Sequence, residues 1–146
     1  MPKLSLTTQY VSVSKNLPTR SQLRRWITAA LERDAIITLR IVDAKEGHSL
    51  NRDYRKKNYA TNVLTFVYGE SAEGALSGDI VLCAPVITKE ARAQRKELKH
   101  HYAHLVIHGA LHLQGYDHEK PPDADVMERR EIALLARMTI ANPYGA

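Results

Sequence analysis

The run HGALHLQGYDH, from His108 to His118, constrains this chain more than any other feature. On a helix, residues four apart stand one above the other on the same face, so His108 and His112 form a preset pair. Gly115 follows where a helix can end in a left-handed residue, a conformation glycine adopts most cheaply. The chain can then turn back and bring His118 towards the pair. Three imidazoles converging in this way suit a single metal ion.

The flanking residues fit a helix that is buried apart from its histidines. Starting near Lys99, it would place His101, His104, His108 and His112 within an arc of about 80°. Val106, Ile107, Ala110, Leu111 and Leu113 fill most of the remaining circumference, so the histidine face is expected to open onto a cleft. His104, one turn before His108, reads as a cleft-wall or solvent residue and a candidate for substrate or ligand-supporting contact. His48, His100 and His101 carry no functional expectation. Asp117, beside the third histidine, is a candidate acceptor that fixes a histidine tautomer, or else a cap of its own turn. The spacing H-x3-H-x2-G-x2-H also occurs in metzincin peptidases, where a glutamate follows the first histidine. Gly109 stands at that position here, so the ligand pattern is kept without the peptidase base.

The rest of the chain reads as strands mixed with helices. Alternation over Leu4, Leu6, Thr8 and Tyr10 to Val11 predicts a first strand, and AIITLRIV from Ala35 to Val42 a second. Between them a helix starts around Pro18, Thr19 and Ser21 and buries Leu23, Trp26, Ile27, Ala30 and Leu31. Residues 45 to 58 read as a basic helix, Asn62 to Tyr68 and Gly78 to Ala84 as strands, and the polar stretch 69 to 78 as their connection. Pro85 suits the first turn of a helix through Val86, Ile87 and Ala91. Pro121 and Pro122 break the chain before a last helix capped by Asp123 and containing Val126, Met127, Ile132, Leu134, Leu135 and Met138. The expected class is α/β (α+β): one small mixed sheet of about four strands packed with helices, in a single domain over residues 1–146 with a frayed tail at 141–146.

Composition limits the function classes. The chain has 146 residues, enough for one domain with a real core. Lys and Arg number 21 against 16 acids, a net charge of +5 that favours polyanionic partners without proving one. No apolar run approaches the ~18 residues of a membrane span, and the N-terminus lacks a basic segment followed by an apolar signal core. Cys83, the single cysteine, has no disulfide partner in the chain and reads as a small buried hydrophobe. A cytoplasmic protein with no membrane partner is expected.

Three blocks in order, LNRDYRKKNYATNVLTF from Leu50 to Phe66, SGDIVLC from Ser77 to Cys83 and HGALHLQGYDH, resemble the YbeY family of bacterial endoribonucleases that act as rRNA maturation factors. The first 45 residues and the tail add little to the likeness. The family more often has serine at position 65, where this chain has Thr65; a hydroxyl is kept. The resemblance implies a compact α/β fold and one zinc ion on His108, His112 and His118. It also implies that Arg55 faces the cleft and contacts the RNA backbone. It further implies single-stranded rRNA as substrate, especially the 3′ end of the small-subunit rRNA, a part in ribosome quality control, and small-subunit ribosomal proteins or an assembly GTPase as partners. From the residues alone, Arg55 reads as part of a solvated basic helix face with Arg52, Lys56 and Lys57.

Three protein ligands leave a fourth position open, as catalytic zinc sites do, whereas structural sites close theirs with four. Zinc lowers the pKa of bound water to about 7 or polarises a phosphoryl oxygen, and either use suits phosphodiester cleavage. A guanidinium at Arg55 could pair with the phosphate and stabilise its growing charge. The general base stays unassigned, since Gly109 removes the obvious carboxylate; zinc-bound hydroxide could attack or could take a proton from the RNA 2′-hydroxyl, and the two routes leave different product ends. The leading expectation is a zinc-dependent endoribonuclease, ahead of a non-catalytic assembly factor with structural zinc and of a metallopeptidase. Zinc is the default for three histidines, although affinity order alone also admits nickel or copper.

Overall fold

The computed structural model describes residues 2–55 and 61–145, apart from the side chains of residues 53–55. Four strands and five helices follow one another along the described residues: β1 Leu4–Tyr10, α1 Arg20–Ala30, β2 Ala35–Val42, α2 Ala44–Arg55, β3 Val63–Glu70, β4 Leu76–Cys83, α3 Ala84–Ala93, α4 Leu98–Leu113 and α5 Pro121–Arg137. The sheet order is β1-β2-β4-β3. β1, β2 and β4 run parallel, and β3 returns antiparallel on β4, so the sheet is mixed as expected.

Period-two patterning decides which face is buried. Ala35, Ile37, Leu39 and Ile41 of β2 align with Leu76, Gly78, Ile80 and Leu82 of β4 and point to one face. There they join Leu23, Trp26 and Ile27 of α1 and Val106, Ile107, Ala110 and Leu111 of α4 in the main core. On the opposite face Val42, Val81 and Leu64 form a small second cluster with Leu50 of α2 and Phe66. Cys83 is buried, as a small hydrophobe would be.

Local chemistry sets the helix ends. Thr19 caps α1 through the amide of Gln22, whose side chain accepts in turn from the Thr19 amide. α3 carries its proline in the first turn, where the missing N–H costs nothing. α5 corrects one expectation: Pro121 and Pro122 are its first residues rather than a break before it, and Lys120 holds the cap position expected for Asp123. The first turn already leaves its N–H groups without partners in the helix, so two prolines fit there. α2 ends at Arg55, and its expected continuation to residue 58 lies outside the described residues.

α4 is the central helix. Ten of its sixteen residues are buried, among them Tyr102, Leu105, Val106, Ile107 and Leu111. Gly109 lets it lie close to the sheet: a Cβ there would stand 3.3 Å from Ile80 Cγ2 and 3.5 Å from Thr65 Cγ2. A larger residue at this position would require Ile80 to give by a few tenths of an ångström.

Candidate metal centre

The end of α4 is built to reverse the chain. Gly115 has φ +103, its amide donates to His112 O at 3.1 Å, and the Tyr116 amide donates to Leu111 O at 3.2 Å. This pair of bonds is the Schellman arrangement, which needs a left-handed residue just past the helix. Side chains then tie the turn to the end of α1. Gln114 accepts from the Glu32 amide at 2.7 Å and donates to Ala30 O at 2.8 Å, and the Tyr116 hydroxyl donates to Glu32 at 2.6 Å. The turn brings His118 back beside the two helix histidines.

His108, His112 and His118 line one cavity of about 150 Å³ together with Thr61, Asn62, Val63 and Thr65. The His118 ring centroid lies 5.0 Å from that of His108 and 5.5 Å from that of His112. Imidazoles bound tetrahedrally at 2.0–2.1 Å place their ring centroids about 5 Å apart, a distance close to that of His118 from each of the two helix histidines.

The outer nitrogens of the two helix histidines are already engaged. His108 Nδ1 lies 2.8 Å from Glu131 Oε2, and His112 Nδ1 lies 2.7 Å from the Thr65 hydroxyl. The Glu131 carboxylate can only accept, so it keeps the proton of His108 on Nδ1, the usual way in which a neighbouring acceptor selects a ligand tautomer; the Thr65 hydroxyl holds the His112 ring by the same nitrogen. Glu131 is fully buried, and its other oxygen accepts from His104 Nε2 at 2.8 Å and from the Tyr144 hydroxyl. Burial opposes ionisation of this carboxyl, but the bonds from His104 and His108, the His108 charge and the Tyr144 hydroxyl outweigh it and hold the pKa down at about 2. The same environment, burial first and then the Glu131 carboxylate, pushes the Tyr144 phenol up.

His104, His108 and Glu131 form a second group with metal-binding potential, their ligand atoms lying within 4.8 Å of one another. It shares His108 with the first group but offers Nδ1 rather than Nε2. Ligand atoms around a tetrahedral ion at such bond lengths are about 3.3 Å apart. The nitrogen-to-oxygen distances here, both 2.8 Å, are those of hydrogen bonds.

Other candidates are distributed differently. Asp117 accepts from the Glu119 amide at 2.9 Å, so it caps its own turn, the second of the two roles open to it. Thr61 and Asn62, which carried no functional expectation above, line the cavity, and Asn62 also donates to Glu90 at 3.1 Å. The Arg55 side chain lies outside the described residues. Sequence reading missed Glu131. Its signal was an acid in the apolar stripe of α5, four residues after Met127 and three before Leu134, both buried. Thr65 was noted only for its hydroxyl, which proves to be the partner of His112. His101, given no role, is buried with Nε2 3.0 Å from Glu90.

A family model described as endoribonuclease YbeY matches residues 7–139. Among curated relatives named endoribonuclease YbeY, that of Thiobacillus denitrificans is 58% identical over 143 residues, covering 98% of this chain and 97% of its own. That of Nitrosospira multiformis is 53% identical over 98% of this chain and 82% of its own, and that of Nitrosomonas europaea 54% over 97% and 85%. In fold, the chain is similar to the solution structure of TM1509 from Thermotoga maritima, with TM-score 0.55 and 23% identity over 91% of this chain and 92% of the other. The three blocks, the sheet order and the histidine cavity thus meet in one assignment: the chain belongs to the endoribonuclease YbeY family.

Proposed function

We propose that this protein is a single-domain, metal-dependent endoribonuclease that cuts single-stranded RNA in rRNA maturation, at the 3′ end of the small-subunit rRNA, and in ribosome quality control. The observation that carries the chemistry is the tautomer setting at the cavity. Glu131 and Thr65 engage Nδ1 of His108 and His112, and the two rings share one cavity with His118, which supports these three residues as the ones that would hold an ion. Zinc suits this donor set, three neutral nitrogens with a position left for a substrate oxygen. When bound, the ion supplies Lewis acidity towards a phosphoryl oxygen and lowers the pKa of water.

The chain's own groups do the remaining work. Thr61 and Asn62, just before β3, form the wall along which a ribose-phosphate backbone would pass. Arg55 is assigned to the scissile phosphate, where a guanidinium pairs bidentately and meets charge that grows in the transition state. It ends α2, and the six residues from there to Thr61 span at most about 20 Å, so the two lie within reach of one substrate. The net charge of +5 favours RNA as the polyanion. Cytoplasmic action, with small-subunit ribosomal proteins or an assembly GTPase directing it to rRNA, completes the reading.

The test is an RNA-cutting assay on metal-stripped and zinc-reloaded protein, using single-stranded RNA from the small-subunit rRNA 3′ end and His112→Ala prepared in parallel. Cutting only by reloaded wild type is expected, and the product ends then identify the attacking oxygen. Equal cutting by the variant, or none by either protein with ribosomal subunits present, contradicts the proposal.

A further inference from the structure

Past α5 the chain folds back onto α4 instead of leaving the protein. Lys96 Nζ donates to Pro143 O at 2.9 Å, and the Tyr144 amide donates to Asn142 Oδ1 at 2.8 Å. The Tyr144 ring stands edge-on to His104, with centroids 5.3 Å apart and planes at 85°, and its hydroxyl donates to Glu131. A tail expected to fray thus delivers a phenol to a fully buried carboxylate.

That carboxylate receives three side-chain donors from two other places in the fold: His104 and His108 of α4, and Tyr144 of the tail. Two of them converge on Oε1, which fixes the plane of the carboxylate and so the direction in which Oε2 faces His108. No lysine or arginine is paired with Glu131 among the described residues. A group meant only to fill the space between Met127 and Leu134 would be apolar, since burying a carboxylate costs stability that only well-placed donors offset. The arrangement makes sense as a support for the ring it grips.

We propose that the C-terminal tail is part of the metal centre: Tyr144, together with His104, locks Glu131 in the orientation that sets the tautomer and ring plane of His108. Tyr144 and His104 are positioning residues acting through Glu131. The inference rests on the reading that His108, His112 and His118 hold the ion. It predicts that full metal affinity requires the docked tail, although no tail residue binds the metal.

The experiment is zinc titration of the metal-stripped full chain against a chromophoric chelator, with the melting temperature of each metal-free variant and the visible spectrum of each cobalt-loaded form. Tyr144→Phe keeps the ring against His104 and removes only the hydroxyl. His108→Ala and His112→Ala serve as references and should abolish tight binding. Glu131→Gln should weaken zinc about 10–100-fold, as loss of an outer partner of a metal histidine does. Tyr144→Phe should weaken it about 3–10-fold, shift the cobalt spectrum and leave the metal-free melting temperature nearly unchanged. Wild-type zinc affinity in Tyr144→Phe, with or without a lower melting temperature, overturns the tail's role while the reference variants still lose binding. Wild-type affinity in the reference variants themselves overturns the three-histidine reading instead.

Discussion

The two halves of α4 use the same residue for different ends. In the first half His101 is buried and His104 nearly so, and both turn Nε2 onto carboxylates, Glu90 at 3.0 Å and Glu131 at 2.8 Å. In the second half His108 and His112 use Nδ1 for their partners and face a cavity with His118. Helical spacing alone makes all four look alike. The difference lies in which nitrogen the partner engages: Nε2 in His101 and His104, Nδ1 in His108 and His112, the two that the proposed function assigns to the ion.

The strongest way to break this comparison is at His112. His112→Ala should reduce RNA cutting by more than about 100-fold, beyond the 10–100-fold typical of losing an outer partner, while His101→Ala leaves the zinc-loaded rate within a few fold. Steady-state cleavage of a labelled RNA checks both, and comparable losses would erase the distinction between the halves. Next comes Glu131→Gln, expected to lower zinc affinity and cutting by about 10–100-fold through His108 without touching substrate. Thr65→Val should be milder, about 10-fold, and Thr65→Ser should restore the rate, because the hydroxyl rather than the methyl meets His112.

The smallest expected effect is on pH dependence. Burial pulls the His101 imidazole below the ordinary value of 6.5, and the Glu90 carboxylate only partly opposes it; His104 and Lys96 add to the lowering. A histidine with a lowered folded pKa binds protons less readily than the unfolded chain. Its contribution to stability is therefore complete above 6.5 and is lost as pH falls below that value. Thermal melts of metal-free protein from pH 8 to pH 5 should show a flatter profile for His101→Gln than for wild type in the acidic half. An unchanged slope would contradict the assignment of this titration to His101.

Much of the fold was legible because its signals are local. The alternation of β2, the capping residues of α1 and the proline opening α3 each depend on a few neighbours, and β2 has the boundaries expected of it. The histidine turn was readable for the same reason, since Gly115 and the spacing suffice to reverse the chain. The partners that choose the tautomers were not. Glu131 sits 23 residues beyond His108 and Thr65 lies 47 before His112, and their meeting depends on how α5 and β3 pack on α4. Asp117 was attractive as a neighbour in sequence, yet in a turn an aspartate satisfies the nearest amide first. The contact of the tail was not legible either, because a single tyrosine reaching a buried carboxylate leaves no periodic trace.

The most direct test is a crystal of the zinc-loaded protein measured at the zinc absorption edge. The account predicts one anomalous peak within about 2.0–2.1 Å of Nε2 of His108, His112 and His118, with Glu131 still bonded to His108 Nδ1. A peak between His104, His108 and Glu131 would contradict it, making the buried carboxylate a ligand and the histidine cavity something other than the metal centre.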